Sequence, residues 1–429
     1  MKIISQLSVF DYKEIEILGD LERCKLLISN VPDEKIINKL YEIRGKGRND
    51  YPVVALWNSL LITPLLECST INQLRRELSR NRDLRKICGF NDADYYYGKC
   101  KLVPPPKAYS NMIKNLKKIE PMLKDCFNEL RQFMYDNLKD FGTTTGEDGK
   151  IFSSRAKGYN KYGDKNDARC DMDADYTIKE TYYKDKDGIT QAKKKTYFGY
   201  RVHILADTRY ELPIEYTVTK ASLSEKKEIL KHINMLSKNL REKIETLSAD
   251  KGYDDIKVID GLREHGIKAI IDIRNQWQSG ESTKQYKNTE IVYTYDGKVG
   301  IIDDEGIFNQ LKYLGYDKIK ETLRYTDGIK VYSIEIKEDR RVFTEIARDS
   351  IKWKRLYKGR TALERINGRL DRDFNLENHK VRGLKKAQVL IDIMMIGMLA
   401  MSKGHIINKQ EEKIRCLKSW INIKNIFTK

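Results

Sequence analysis

The chain has 429 residues, 34% of them charged, and Lys and Arg outnumber Asp and Glu by 81 to 63, a formal net charge of +18. That length allows two or three domains with a full hydrophobic core, and so basic a chain repels itself unless a polyanion, most often nucleic acid, lies against it. Seven cysteines without CxxC spacing and only five histidines argue against a disulfide framework or a cysteine zinc site.

Met1–Leu18 mixes Lys, Asp and Glu into its apolar residues and does not read as a signal peptide. Residues 54–66 form an apolar run of helical length that kinks or ends at Pro64. Thr70-Ile71-Asn72-Gln73 is a capping-box pattern and starts a new helix. That helix carries Arg75, Arg76 and Arg80, with Arg82, Arg85 and Lys86 beyond it. Clustered arginines on short helices suit a helix-turn-helix-like DNA contact or, equally, a solvated charged face. Pro104-Pro105-Pro106 marks a linker, and a basic amphipathic helix is expected from about 108 to 138.

The pattern then turns to β. Residues 197–207 read as a strand, and 211–219 alternate, with Leu212, Ile214, Tyr216 and Val218 opposite Glu215, Thr217 and Thr219. A short turn at 208–210 joins them as a hairpin. A helix over 224–240, a strand over 244–249, a helix over 255–265 and a strand over 267–273 follow. That order predicts a mixed α/β sheet with helices on its faces. Residues 276–345 are rich in Tyr and Gly and read as a β-rich insertion, after which long helices close the chain. The most apolar stretch, 389–401, is interrupted by Asp392 and reads as too short to span a bilayer. The domains expected are 1–138 (helical, DNA-binding), 139–275 (catalytic core, first part), 276–345 (insertion) and 346–429 (helical remainder of the core), in a cytoplasmic protein with no membrane partner.

Three carboxylates stand out by their settings. Asp148 lies in Glu147-Asp148-Gly149-Lys150, read as a turn where β structure begins. Asp250 follows a strand in Ser248-Ala249-Asp250-Lys251-Gly252-Tyr253, where α/β sheets place their sites. Glu364 lies on a helix on which, at about 100° per residue, Tyr357, Arg360, Glu364, Asn367 and Asp371 share one side. Beside them Leu356, Leu363, Ile366, Leu370 and Phe374 form an apolar stripe to dock on the sheet. Oxygen ligands of this kind suit Mg²⁺ or Mn²⁺ rather than zinc. Two such ions, about 3.5–4 Å apart, serve phosphoryl transfer.

Tyr357-x2-Arg360-x3-Glu364 resembles the tyrosine-arginine-glutamate signature of the DDE transposases of bacterial insertion sequences. Where that signature continues with Lys or Arg, this chain has Asp371, flanked by Arg369 and Arg372. Residues 198–222 and 247–255 are similar to the second strand region and second-aspartate motif of that family, 147–158 to its first-aspartate motif, and 56–90 to the helical domain that often precedes such cores. The resemblance implies a ribonuclease H-like α/β core with an N-terminal all-helical domain. It implies a catalytic, metal-binding set of Asp148, Asp250 and Glu364, with Asp207 the main rival to Asp148, and two Mg²⁺ or Mn²⁺ ions. The implied partners are double-stranded DNA, as transposon ends and target, and a second copy of the chain in a dimer on DNA. Tyr357 and Arg360 are implied phosphate contacts, with Arg369 and Arg372 supplying charge near Asp371. Trp353 either stacks on an unpaired base or is a core aromatic, and His203 is read as structural. Relatives carry cysteine pairs in the insertion; this chain has none there, so no zinc is expected.

Overall fold

A computed structural model describes residues 20–417, apart from 47–49, 99, 160–166, 168, 185–189 and 278–279. The N-terminal stretch read for a signal peptide lies outside the described residues. The chain divides into two compact units: 1–138 with 151–200 and 367–429, and 139–150 with 201–366. Residues 1–138 are therefore not a unit to themselves, because they share a core with the C-terminal helices.

In the first unit the helices are α1 (Asp20–Asn30), α2 (Glu34–Arg44), α3 (Val53–Leu61), α4 (Ile71–Arg80), α5 (Arg82–Cys88), α6 (Asp92–Tyr96), α7 (Pro106–Leu116) and α8 (Glu120–Asn137). The capping box that starts α4 is present in full, with Thr70 accepting from the Gln73 N–H and the Gln73 side chain on the Thr70 N–H. Residues 108–138 form two helices rather than one. Pro121 sits in the first turn of α8, where its missing N–H leaves no bond unmade, and it cannot continue a helix from upstream. The helix over Leu384–Ile407 packs against α8 and α1. It is longer than the apolar run suggested, and long and apolar enough to cross a membrane, yet 72% of its most apolar window is buried inside the protein.

The second unit is built on a sheet. Its strands are β1 (Thr144–Ser153), β3 (Thr190–Asp207), β4 (Leu212–Lys220), β5 (Thr246–Ala249) and β6 (Lys268–Ile271). β2 (Asp175–Lys184) pairs antiparallel with the first half of β3, in the first unit. The order across the sheet is β2-β3-β1-β5-β6, with β4 also on β3. β5 runs parallel to β1 and to β6. Both faces of β4 are buried: Glu215, on its polar side, is only 2% exposed. α9 (Glu225–Met235), a short α10 (Lys238–Arg241) and α11 (Ile256–Glu264) cover the sheet connections.

The insertion folds as expected into short strands, β7 (Lys284–Gln285) to β10 (Phe308–Gln310) in one sheet and β11 (Lys312–Asp317) to β13 (Val331–Glu335) in another. They enclose their own core, with Tyr293, Val299, Leu323, Tyr325, Ile334 and Phe343 buried in it. Residues 351–372 then form two helices, α12 (Ile351–Lys358) and α13 (Thr361–Arg372), where one was expected. At the joint, Gly359 and Arg360 donate to the carbonyls of Leu356 and Tyr357, three residues back, which tightens and ends the first helix.

Candidate active site

The parallel register between β1 and β5 pairs Gly146 with Ser248. Two residues beyond that pair come Asp148, on β1, and Asp250, just past the end of β5, near enough for the Asp250 charge to act on Asp148. Asp148 lies within β1, not in a turn as the sequence suggested. Successive side chains of a strand point to opposite faces. Gly146 faces Leu363 of α13, and Asp148 shares that face. Glu147 and Gly149 face the other way, toward His232 and Glu225 of α9. The two helices thus flank one short segment of β1.

Asp148 Oδ1 accepts from the Gly149 N–H at 2.9 Å. Burial, reinforced by the Asp250 charge, pushes its carboxyl up to about 6 against that bond. Asp250 caps a 3₁₀ turn and accepts from the Gly252 N–H at 2.6 Å. Glu225, the first residue of α9, pairs with Arg201 at 2.6 Å. Burial lifts its carboxyl to about 7; Arg201 opposes the rise, and the charges of Asp148 and Asp250 add to it. Behind Asp148 is a buried pair, Glu147 with His232 at 2.8 Å, both fully enclosed. Burial raises the Glu147 carboxyl, and the His232 imidazole offsets part of that rise. The other His232 nitrogen lies 3.0 Å from the Thr217 hydroxyl, which donates to Glu228. These groups tie α9 to the sheet.

On the opposite face, Arg360 donates to Glu364 at 2.7 Å, and the Glu364 side chain is 57% exposed. Arg360 also stands over the Tyr357 ring at 5.8 Å, and the Asp148 charge acts on it. Because the helix breaks before Thr361, Tyr357 and Glu364 do not share one continuous helical face. Trp353 is a core aromatic: it is 9% exposed, packs on Ile270 and Ile346, and stacks on Tyr357 with centroids 4.9 Å apart.

Asp207, the rival first aspartate, is fully buried and accepts the N–H groups of Gly142, Arg209 and Tyr210. It is the clamp of the β3–β4 turn, with three of its roughly four acceptor sites taken by backbone N–H groups. His203 is fully buried: its Nε2 lies 2.9 Å from the Thr219 hydroxyl, and burial pushes its pKa down to about 3. Arg369 is not a surface phosphate contact, being 6% exposed and donating to the Arg415 carbonyl at 3.3 Å. Arg75 donates to the Pro104 carbonyl at 2.8 Å and so anchors the proline segment. Arg76, Arg80 and Arg372 are exposed.

A model of the transposase DDE domain matches residues 166–399, more than half of the chain. The chain belongs to the DDE transposase family. The matched span of this transposase holds Asp250 and Glu364; Asp148 lies just before it. A cryo-EM structure of the piggyBac transposase synaptic complex with hairpin DNA is similar over 96% of this chain and 82% of that one, at 11% identity. Its TM-score of 0.36 is too low to argue from. None of the curated proteins matches the transposase.

Asp148 and Asp250 fit a hard divalent cation: both offer carboxylate oxygens, and a cation would relieve the Asp250 repulsion that adds to burial in raising the Asp148 carboxyl. Glu364 accepts from Arg360 through Oε1, and its side chain is 57% exposed. Among the described residues, no three His, Cys, Asp or Glu side chains stand close enough together to hold an ion as they are. Sequence reasoning missed Glu225, Arg201 and the Glu147–His232 pair. Glu225 follows Ser224 at a helix start, where acidic residues are ordinary, and nothing local marks it out.

Proposed function

We propose that this transposase binds the terminal inverted repeats of an insertion sequence, cleaves DNA at its ends and joins the freed 3′-hydroxyls to target DNA. The observation that carries this reading is the approach of Asp148, on β1, to Asp250, just past the end of the adjacent parallel strand β5, where the Asp250 charge acts on Asp148, with the helix bearing Glu364 packed over the Asp148 face of β1 through Leu363. The strand order β4-β3-β1-β5-β6, three antiparallel strands followed by two parallel ones, supports a ribonuclease H-like core. Divalent cations, Mg²⁺ or Mn²⁺, supply activation of the attacking oxygen and stabilisation of the leaving one in such reactions. Asp148 and Asp250 are the residues to hold them.

The protein's own groups do the rest. Arg360 and Tyr357 present a cation and a hydroxyl beside the carboxylates, placed to hold a phosphate. The net charge of +18 favours DNA along the surface, with exposed Arg76, Arg80 and Arg372 among its contacts. Cutting two ends in concert calls for a dimer on DNA, within the bacterial cytoplasm. Asp250→Asn is expected to abolish cleavage and strand transfer on end-bearing DNA while leaving end binding intact; retained cleavage refutes the assignment. The Arg360–Glu364 pairing and Asp371 in a position usually basic favour one second reading, a DNA-binding relic with an inactive core. Metal-dependent nicking by the wild-type chain excludes it, and joined products exclude a nuclease that only hydrolyses.

A further inference from the structure

β2 and the first half of β3 pair over ten residues, from Asp175 opposite Gly199 to Lys184 opposite Thr190. That makes a two-stranded ribbon about 30 Å long. Its base is packed: the rings of Tyr159, Tyr176 and Phe198 meet with centroids 4.8–5.8 Å apart, and Tyr159 donates to Asp175 at 2.8 Å. Beyond the base, Ile178, Lys179, Glu180 and Tyr183 on β2 and residues 191–196 on β3 are exposed, so both faces are open. A bare two-stranded ribbon is marginal in water, and it gains from a surface to lie against.

Residues directly opposite in an antiparallel pair share a face, and successive residues of a strand alternate between faces. The register sets Lys195 opposite Lys179 and Lys194 opposite Glu180. One face therefore carries Lys179, Lys193, Lys195 and Tyr183, and the other Ile178, Glu180 and Lys194. On the second face charge is cancelled, with Lys194 and Glu180 paired at 2.9 Å. The first face holds no acidic residue from Thr177 to Tyr183 or from Gln191 to Tyr197. Lys195 lies over the Tyr197 ring at 4.8 Å. Like charges directly opposite destabilise a sheet. Lysine on an open edge does guard against unwanted strand pairing, but that service needs no like-charged pair, and the same ribbon shows at Lys194 and Glu180 how the charge is balanced. An unbalanced triad on one face is what a polyanion would neutralise.

We propose that the β2–β3 ribbon is a docking arm for duplex DNA, with its Lys179, Lys193 and Lys195 face set against the phosphates. A two-stranded ribbon is thin enough to enter the major groove. This inference rests on the DNA-binding reading above and names a contact element apart from the arginine-bearing helices.

The test is the salt dependence of DNA affinity, measured by fluorescence anisotropy on the full-length chain with an end-bearing duplex and with a duplex of random sequence. Each phosphate neutralised contributes about 0.9 to the slope of log affinity against log salt. The triple variant Lys179→Gln, Lys193→Gln, Lys195→Gln is expected to flatten that slope by about 2–3 on both duplexes. Between about 50 and 200 mM salt the parent should then lose about forty-fold more affinity than the variant. Lys→Arg at the same three positions should keep the parental slope, and so should Glu180→Gln with Lys194→Gln, which removes the neutral pair on the other face. Relief of the Lys179–Lys195 repulsion should leave the triple variant melting no lower than the parent by circular dichroism. Should it unfold, Lys193→Gln and Lys195→Gln taken singly are each expected to flatten the slope by about 0.9. A parental slope in these variants overturns the arm and leaves end binding standing, whereas a parent that binds neither duplex removes both readings. Equal flattening in the Glu180→Gln, Lys194→Gln variant overturns the assignment to one face. A triple variant altered in self-association by sedimentation, with its slope parental, gives the ribbon to a second copy of the chain and overturns the proposal.

Discussion

Gly146→Ala tests how α13 is seated over β1. The new Cβ would lie 2.8 Å from Leu363 Cδ1, 3.0 Å from Ser248 Oγ and 3.2 Å from the Ser248 carbonyl oxygen. Carbon atoms pack best at roughly 3.5–4.0 Å, so the Leu363 methyl must retreat by about 0.7 Å or more. Leu363 is 1% exposed and has little space to turn into. Ser248 Oγ is held by its bond to the Thr145 carbonyl at 3.1 Å, and its own carbonyl belongs to β5. The strain therefore passes to α13, at a cost of about 1–3 kcal/mol typical of overpacking. Arg360 and Glu364 ride on that helix start, and a displacement near 1 Å at a reacting site costs up to about a hundred-fold in rate. Urea unfolding and metal-dependent cleavage of end-bearing DNA measure the two effects. Leu363→Ala alone costs about 2–5 kcal/mol through its cavity. Combined with Gly146→Ala it should cost less than the sum by roughly 1 kcal/mol, because the clash is gone. Parental stability and activity in Gly146→Ala, or strict additivity in the double variant, refutes this account of the seat.

The Asp148 carboxyl sits near 6 when folded against an ordinary value of 3.8, so the folded state holds a proton that the unfolded chain has lost. Its contribution is full below about pH 4 and is lost as pH rises to about 6. The metal-free wild type should therefore fall in stability relative to Asp148→Asn over that window, by about 1–2 kcal/mol after allowance for partial exposure. The comparison cancels the buried His203, which works in the opposite direction, and melting curves in chelator that stay parallel would contradict it. Asp207→Ala should cost about 3 kcal/mol or more in urea, since three backbone N–H groups lose their acceptor. Unlike Asp250→Asn, it should keep Mn²⁺ affinity at a temperature where it is folded; a loss of affinity would revive Asp207 as a ligand. Arg348→Met removes a buried guanidinium that donates to the carbonyls of Ile271, Val342 and Arg341. It should speed amide hydrogen exchange at residues 339–349 ahead of the strands β1 and β5, and unchanged exchange there would remove the clamp assigned to it.

Much of the fold was legible because its signals are local. The capping box at Thr70, the alternation along β4 and the strand running into Asp250 each depend on residues a few positions apart. The breaks in the two stretches that read as single helices are also local: Pro121 ends one, and Gly359 with its three-residue hydrogen bonds ends the other. Asp148 reads as a turn residue because Glu147-Asp148-Gly149-Lys150 has turn composition. In the folded chain the glycines around it serve close packing, Gly146 under Leu363 and Gly149 under Glu225.

Sequence by itself determined the charge that calls for DNA, the β-rich insertion, and the motifs around Asp250 and Glu364. Tertiary structure alone decided which carboxylates meet. The parallel pairing of β1 with β5 brings Asp148 within range of the Asp250 charge, and no local pattern encodes that pairing. The same holds for burial: Asp207, Arg369 and Trp353 look like functional residues in one dimension. Packing turned each of them inward, because what an ionised or aromatic side chain does depends on the partners and solvent that the fold leaves it.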